Sequence, residues 1–211
     1  MNPTSAMPVA APHTATANSA GRIMATVMAA LAPATLFAFW LFGWPAIYLW
    51  IVTIAAALLG ETLCLRLAGR EVAPALLDGS AVLTGWLLAL SLPPWAPWWI
   101  GAFGGLFATI IGKQVFGGLG QNLFNPAMVA RVALLISFPV QMTAWVAPLP
   151  ISAAAAPGLL AGLHITLGGL PPAFDDIASA TLLGHVKTEM SRGLGLLHIL
   201  SASRVPSASL L

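Results

Sequence analysis

The chain has 211 residues, of which 59% are hydrophobic and only 7% are charged, whereas a soluble domain carries roughly 25% charged residues. This composition excludes a soluble globular protein and predicts an all-α integral membrane protein built as a bundle of several spans. The formal net charge of +2 gives no basis for nucleic-acid binding, and the single cysteine, Cys64, excludes an intrachain disulfide.

The N-terminal part of the chain predicts a tail followed by two membrane spans. Residues 1–20 are rich in Ala, Pro, Ser and Thr and lack the pattern of a signal peptide, so we expect a disordered cytoplasmic tail. A spanning helix needs about 20 apolar residues. Residues 23–42 form such a run with Pro33 inside it, and residues 45–65 form a second run that ends before Arg66.

A second pair of apolar runs predicts a helical hairpin. Residues 78–92 are followed by a belt of proline and tryptophan, and residues 98–111 end before Lys113. Glu61, near the end of the preceding run, is expected to reach the water of the headgroup region rather than to act inside the membrane.

The connector that follows is rich in glycine and amide side chains. Residues 117–128 read Gly-Gly-Leu-Gly-Gln-Asn-Leu-Phe-Asn-Pro-Ala-Met. Asn125 suits the N-cap of the next helix and Pro126 suits its first turn, which predicts a tight turn and a capped helix. Alternatively, Asn122 and its neighbours form a polar break that is packed inside protein and lines a cofactor or ion route.

Two apolar segments follow the connector. Residues 126–145 form a fifth run with Arg131 near its start, where we expect a cytoplasmic anchor; a partner for the phosphate of a cofactor or lipid is the alternative. Residues 151–170 are interrupted by several glycines and Pro157, so this segment is expected to be interfacial or partly buried without having to span the membrane.

The basic residues predict the orientation of the bundle. Four of them lie at alternate ends of the first four runs: Arg22, Arg66, Arg70 and Lys113. Cytoplasmic loops carry an excess of Lys and Arg, so we expect a multi-pass membrane protein with its N-terminus in the cytoplasm. Residues from about 146 to 188, with Thr181, then lie on the periplasmic side.

A window of small and polar residues stands out in the C-terminal third. Residues 176–183 read Asp-Ile-Ala-Ser-Ala-Thr-Leu-Leu and place the hydroxyl of Thr181 among small side chains. By composition alone Thr181 is an ordinary loop threonine. The histidines have no metal-ligand spacing, so we predict no metal site.

These motifs resemble those of two known protein families. The tripeptide Asn125-Pro126-Ala127 resembles the half-helix signature of aquaporins, of which this chain has one copy. The whole connector, the stretch 134–143 and the window around Thr181 resemble the family of the D subunit of Rnf complexes and the B subunit of the Na+-translocating NADH:quinone reductase. Where that family has Ser-Gly-Ala-Thr, residues 178–181 read Ala-Ser-Ala-Thr.

The resemblance implies a covalent flavin site. Thr181 is expected to carry FMN through a phosphoester bond, since its hydroxyl supplies the ester oxygen. Ser179 and Ala180 are small neighbours that let the phosphate approach the backbone. Asp176 is expected to assist the flavin transferase or to hold the loop, and Lys187 to offset the phosphate charge; for both, an ordinary solvated role is the alternative.

A second flavin and a set of partners also follow from the resemblance. Gly120, Asn122 and Asn125 are expected to line either a site for a non-covalent riboflavin or FMN or the route between redox centres. The implied function is electron transfer within a complex that couples ferredoxin and NAD+ chemistry to Na+ or H+ transport. Its partners are the other complex subunits, the lipid bilayer and a flavin transferase. The rival functions are an Asn-Pro-Ala pore or carrier and a flavin-free structural subunit.

These expectations divide the chain into four regions. Residues 1–20 are the tail, 21–145 the membrane bundle of about five runs, and 146–192 the periplasmic or interfacial segment with the flavin-attachment motif. Residues 193–211 form a C-terminal tail without a further hydrophobic run, so the second set of spans of the family is expected to be absent.

Overall fold

The computed structural model describes residues 20–146, 148–153 and 156–168, and these residues form helices and connecting turns without a β-strand. The α-helices in chain order are α1 (Ala20–Phe42), α2 (Trp44–Leu67), α3 (Val72–Leu77), α4 (Ser80–Ser91), α5 (Trp98–Ile110), α6 (Pro126–Ser137), α7 (Pro139–Thr143) and α8 (Leu159–Gly168). Three helical segments are long and apolar enough to cross a membrane: α1, α2 and the stretch Trp98–Phe116. The predicted all-α membrane class is confirmed. Residues 1–19 of the predicted tail and the whole flavin window lie outside the described residues.

Helix α2 is the centre of the bundle, and small residues let α5 approach it closely. A Cβ atom added to Gly105 would lie 2.5 Å from the carbonyl oxygen of Thr53, and one added to Gly101 would lie 2.4 Å from the Thr53 hydroxyl. A Cβ atom added to Gly60 of α2 would likewise lie 2.4 Å from the Thr109 hydroxyl of α5. Such small-residue contacts are typical of helix pairs in membranes, where close van der Waals packing drives association.

Helices α4 and α6 complete the core beside α2 and α5. The buried apolar cluster includes Leu49 of α2, Leu88 of α4, Ile100 of α5 and Leu134 of α6. Helix α1 lies outside this core, where only 6% of its apolar window is buried. Its one buried residue, Thr35, accepts a hydrogen bond from the Trp86 indole of α4 at 2.8 Å. As predicted from the apolar run, the helix continues through its internal proline.

The fifth predicted run is divided into two helices. The sequence predicts one run over residues 126–145, whereas α6 ends at Ser137 and the short α7 begins at Pro139. Between them Phe138 leaves the helical conformation, with φ −133° and ψ 60°. Proline disfavours the helical conformation in the residue before it, which accounts for this break. With 12 residues, α6 is about 18 Å long and does not cross the roughly 30 Å hydrocarbon core by itself.

The segment after α7 covers the end of the bundle at which α1 turns into α2. The amides of Leu149 and Ile151 donate to the carbonyls of Leu41 and Trp40. Tyr48 of α2 donates to the carbonyl of Leu159 in α8 at 3.2 Å. The described part of helix α8 has ten residues.

Candidate functional site

A buried ion pair joins helix α2 to the turn between α5 and the connector. The Nζ of Lys113 lies 2.5 Å from Oε1 of Glu61, and the two side chains are 2% and 1% exposed. Glu61 belongs to α2, and Lys113 lies in the turn after α5, which ends at Ile110. The expectation that Glu61 reaches headgroup water is therefore wrong, because neighbouring helices enclose its carboxylate.

Ser80 and Asp78 extend the pair into a hydrogen-bonded network. Lys113 also donates to the Ser80 hydroxyl at 2.6 Å, and that hydroxyl donates to Oδ1 of Asp78 at 2.5 Å. Gln114 donates to Oε1 of Glu61 at 2.9 Å. The chain turns between α3 and α4 at a glycine with a φ of +75°, so that Ser80 begins α4 beside Lys113. We call Glu61, Asp78, Ser80 and Lys113 the buried network; Glu61, Ser80 and Lys113 are buried, and Asp78 at its edge is half-buried.

One oxygen of the network is not satisfied. Oε1 of Glu61 accepts from both Lys113 and Gln114, but Oε2 is buried and has no hydrogen-bond partner within the described part of the chain. A buried polar atom without a partner costs about 1–3 kcal/mol, and more when it is charged. A further hydrogen-bond donor at this oxygen would remove that cost.

Two cavities meet at the buried network. The first, which we call the connector cavity, has a volume of about 300 Å3, and its lining includes Ser80, Lys113, Asn122 and Asn125. The second, which we call the Glu61 cavity, has a volume of about 320 Å3, and its lining includes Glu61, Arg70, Glu71, Asp78, Gln114, Gly117 and Gly118. Lys113 and Ser80 thus face one cavity while Glu61 and Asp78 face the other.

The connector combines a turn with a cavity wall. Gly117, Gly118 and Gly120 all have positive φ, at 111°, 99° and 85°. Oδ1 of Asn125 accepts from the amide of the second residue after it at 3.0 Å, which confirms the predicted N-cap. The second interpretation of the connector was a polar break that is packed inside protein and lines a cofactor or ion route. Asn122 and Asn125 do line the connector cavity, but Asn125 and most of the connector are exposed in the described structure, so the connector is not packed inside the described part of the chain.

The predicted cofactor residues lie in different parts of the chain, and only some of them are described by the structure. Asn122 and Asn125 lie together on the connector cavity, whereas Gly120 shapes the connector but lines neither of the two cavities. The remaining predicted cofactor residues lie outside the described part of the chain: Asp176, Ser179, Ala180, Thr181 and Lys187.

Two basic residues have different environments from those predicted. Arg131 donates from Nη1 to the carbonyl of Ser91 in the last turn of α4, so it satisfies a helix end instead of anchoring the chain at the surface. Lys113 is buried, so its charge is a weaker indicator of orientation than the charges of the exposed Arg66 and Arg70.

The sequence patterns do not reveal the buried network as a unit. The available signal was the presence of ionisable residues within or beside long apolar runs, which by default marks a functional site in a membrane protein. Glu61 and Lys113 both meet that criterion, because the candidate spans formed by α2 and by Trp98–Phe116 include them. Their pairing could not be read from residues so far apart in the chain.

Comparison with known proteins places the chain in a family. A family model described as the NQR2, RnfD, RnfE family matches residues 8–208, almost the whole chain. The chain belongs to the NQR2, RnfD, RnfE family. The match includes the connector, the buried network and the window around Thr181, and it confirms the family resemblance from which the flavin prediction was made.

Individual members of the NQR2, RnfD, RnfE family support this assignment. The chain is 52% identical over 203 residues to the D subunit of the ion-translocating oxidoreductase complex of Halorhodospira halophila, a match that covers 96% of this chain and 57% of the relative. It is 58% identical over 176 residues to the protein of the same name in Stutzerimonas stutzeri, covering 83% of this chain and 49% of the relative. The corresponding protein of Rhodobacter capsulatus is 52% identical over 187 residues, a match that covers 89% of this chain and 51% of the relative. The chain spans about half the length of these relatives.

Proposed function

We propose that this chain is a membrane subunit of an Rnf-type ion-translocating oxidoreductase complex. In this proposal it relays electrons through FMN bound to Thr181, while the complex couples electron transfer between ferredoxin and NAD+ to the transport of Na+ or H+. The observation that carries the proposal is the family match over residues 8–208, which contains both motif strings. The relatives are named as D subunits of an ion-translocating oxidoreductase complex, which supports the same function.

The residues around Thr181 suit a phosphoester-linked flavin. The Thr181 hydroxyl is the nucleophilic oxygen that a flavin transferase needs, and the small side chains of Ser179 and Ala180 leave room for the phosphate. Lys187 provides a positive charge for the phosphate, and Asp176 a carboxylate for the transferase or the loop. When bound, FMN supplies one-electron redox chemistry; the chain supplies attachment and position.

The connector cavity fits the second, non-covalent flavin of the proposal. Its volume of about 300 Å3 lies at the lower end of the range for small-molecule sites, about 300–1,000 Å3. The amides of Asn122 and Asn125 provide donors and acceptors of the kind that recognise a flavin ring or a ribityl chain. Apolar lining from Leu83 and Leu87 provides the contact surface for the ring.

The exposed apolar surface supports a location in the bilayer among other subunits. On α1, Leu36 and Phe37 are 67% and 60% exposed, and on α2 Leu59 is 66% exposed. Apolar surface of this extent on spanning helices needs lipid or protein to cover it. We therefore propose the bacterial inner membrane as the location, with the other Rnf-type subunits as partners and a flavin transferase acting during maturation.

The decisive experiment is in-gel flavin fluorescence of the purified membrane protein. The chain and its Thr181→Val and Ser179→Ala variants are expressed with a flavin transferase, loaded equally on a denaturing gel and viewed under ultraviolet light beside a flavinylated standard. We expect fluorescence in the unsubstituted chain and in Ser179→Ala, and none in Thr181→Val. A dark band for the unsubstituted chain contradicts the proposal and favours a flavin-free structural subunit.

The structure gives the Asn-Pro-Ala motif, on which the pore alternative rests, a local structural role. The Asn125 side chain of its single Asn-Pro-Ala copy caps α6 through a hydrogen bond to the amide of Ala127. This capping role accounts for Asn125 and Pro126 without a channel. Solute flux through liposomes that contain the flavin-free protein would restore the pore alternative.

A further inference from the structure

We propose that Arg131 binds the phosphate of an anionic phospholipid whose acyl chain lies on the outer face of α6. That face consists of Met128, Val132, Leu135 and Ile136, and we call it the α6 face. The inference goes beyond the proposed function, and its structural basis is separate from the flavin window and from the buried network. It adopts the alternative interpretation of Arg131 in the sequence, a partner for a phosphate, and adds to the role of this residue at the end of α4.

Arg131 is a half-buried cation that uses little of its hydrogen-bonding capacity in the described part of the chain. A guanidinium has five N–H donors, and among the described residues Arg131 makes one bond, from Nη1 to the carbonyl of Ser91. That carbonyl is neutral and leaves the positive charge uncompensated. The acidic residues of the described part, Glu61, Glu71 and Asp78, line the Glu61 cavity at the connector end of the bundle. A counter-ion for Arg131 therefore comes from outside the described residues.

The guanidinium of Arg131 lies near the end of the bundle at which α1 turns into α2. A Cβ atom added to Gly85 of α4 would lie 2.9 Å from Cα of Ile54 in α2, so these two residues are at the same level. Helix α4 runs toward that end, and Ser91 is six residues beyond Gly85, whereas Ile54 is ten residues from the start of α2. At about 1.5 Å per residue, Ser91 and the guanidinium bonded to it lie about 6 Å inside that end of α2.

The side chain of Arg131 extends along the bundle toward this end. Leu88 of α4 and Leu134 of α6 lie in one layer, because a Cβ atom added to Gly104 would be 3.1 Å from the first and 2.8 Å from the second. Arg131 precedes this layer by three residues, and Ser91 follows it by three. Long basic side chains on membrane helices extend in this way when their charged groups reach for the interface.

The level of the guanidinium corresponds to the boundary between hydrocarbon and headgroups. Helix α2 has 24 residues and is about 36 Å long, which exceeds the roughly 30 Å hydrocarbon core by about 3 Å at each end. Exposed tryptophans mark the same end, as they do at membrane interfaces: Trp40, Trp98 and Trp145. Phosphates of the adjacent lipid leaflet are therefore within reach of Arg131.

The α6 face provides an apolar surface beside the guanidinium. Its residues occupy positions i, i+4, i+7 and i+8 of one helix, and their exposure ranges from 42% at Met128 to 77% at Ile136. Arg131 lies at the edge of this face. The surface thus has a cation at the headgroup boundary and an apolar strip that leads into the hydrocarbon core. A phospholipid has a phosphate and an acyl chain in the same order, and an arginine binds phosphate oxygens through two parallel N–H groups.

An anionic phospholipid fits this surface better than a free phosphate or a protein carboxylate. A free phosphate covers none of the exposed apolar surface, which needs lipid or protein against it. A partner helix with a carboxylate also neutralises the charge, but at this level lipid phosphates already surround the protein, so no such partner is required. An anionic headgroup is preferred to a zwitterionic one because it leaves no net charge at the site.

Photolabelling with a lipid of defined headgroup tests this inference. The full chain is placed in phosphatidylcholine vesicles that contain a small fraction of phosphatidylglycerol with a diazirine in its acyl chain, and labelled residues are mapped by mass spectrometry. Leu36 and Phe37 are the reference, because they are similarly exposed on a helix whose basic residue, Arg22, lies at its other end. We expect the α6 face to be labelled about tenfold more than this reference. Equal labelling of the two helices is ordinary lipid contact and overturns the inference.

The headgroup and the arginine are then varied separately. A diazirine diacylglycerol, which has no phosphate, should label the α6 face and the α1 reference equally; a preserved preference overturns the phosphate contact. Arg131→Met should abolish the preference for phosphatidylglycerol, whereas Arg66→Met, at the connector end, should retain it. The diacylglycerol comparison needs no substitution and decides the question if Arg131→Met does not fold.

Three further arms identify the source of the phosphate and the occupant of the α6 face. Excess inorganic phosphate should leave the labelling unchanged; its loss overturns the lipid in favour of a free anion. Thr181→Val, which lacks the proposed site of FMN attachment, should be labelled like the unsubstituted chain; labelling confined to this variant assigns the phosphate to the cofactor instead. In membranes with the assembled complex we expect the same labelling, and protection of the α6 face there shows that another subunit covers it and overturns the inference.

Discussion

Lys113 and Glu61 are 52 positions apart in the chain, yet each provides the nearest opposite charge for the other. Each side chain follows or interrupts a run of apolar residues, and burial of either one alone in such surroundings is strongly unfavourable. The pair is tolerated because Ser80 and Gln114 provide further hydrogen bonds on both sides. At the residue scale, the stability of the bundle therefore depends on keeping both charges or removing both.

A double substitution tests this dependence. Lys113→Met leaves the Glu61 carboxylate buried without its partner, and we expect a loss of about 3–5 kcal/mol in the free energy of unfolding. Glu61→Gln combined with Lys113→Met removes both charges and should recover most of that loss. Denaturant titration of the helical signal in detergent measures both effects. The exposed Arg66→Met is the control and should change stability by less than about 0.5 kcal/mol. A double variant as unstable as Lys113→Met would contradict the pairing argument.

At the element scale, the contact of α2 with α5 is decided by side-chain size. Gly101 and Gly105 lie four residues apart on α5 and face Thr53 of α2. Thr53 directs its hydroxyl to the carbonyl of Leu49 in its own helix at 2.7 Å, so its polar group is satisfied without separating the helices. The close approach of the two helices also brings the α2 carboxylate within reach of the ammonium that follows α5.

Adding a single methyl group tests the contact. In Gly105→Ala the new Cβ would lie 2.5 Å from the backbone oxygen of Thr53, so the helices have to move apart; we expect destabilisation of about 1–3 kcal/mol. Gly21→Ala is the matched control in a helix, because its Cβ meets the nearest atom at 3.8 Å. That variant should be neutral or stabilised by up to about 1 kcal/mol. Thermal unfolding of both in the same detergent gives the comparison; equal stability of the two would contradict the close packing.

At the scale of the whole molecule, the two ends of the bundle differ in chemistry. The end that contains the connector has the buried network, the exposed Arg66 and Arg70 and both cavities. The other end is formed by the α1–α2 turn and the segment that leads to α8. The positive-inside rule predicts that the connector end faces the cytoplasm.

Cysteine labelling in intact cells tests this orientation. Cys64 is replaced by serine, and single cysteines are introduced as Gln121→Cys in the connector and Ser152→Cys at the opposite end. A maleimide that does not cross membranes should label Ser152→Cys in intact cells, while Gln121→Cys should react only after the cells are opened. The reverse pattern would contradict the predicted orientation.

Local patterns in the chain were enough to predict the class of the protein, the positions of most helices and the cap at Asn125. Apolar run length and capping chemistry are properties of neighbouring residues, so they can be read without knowing the packing. The prediction of one run over residues 126–145 was wrong because Pro139 breaks the helix, an effect that apolar composition alone does not show. The motifs also led to the family.

The environment of the charged side chains, in contrast, was set by tertiary packing. Glu61 and Lys113 each have an ordinary surface interpretation in the sequence, at the end of an apolar run. Their pairing depends on the separation of α2 and α5, and thus on the absence of Cβ atoms at positions such as Gly105. A hydrogen-bonded network between distant segments exists only once that packing is in place, since no local rule specifies which partner a buried charge will have.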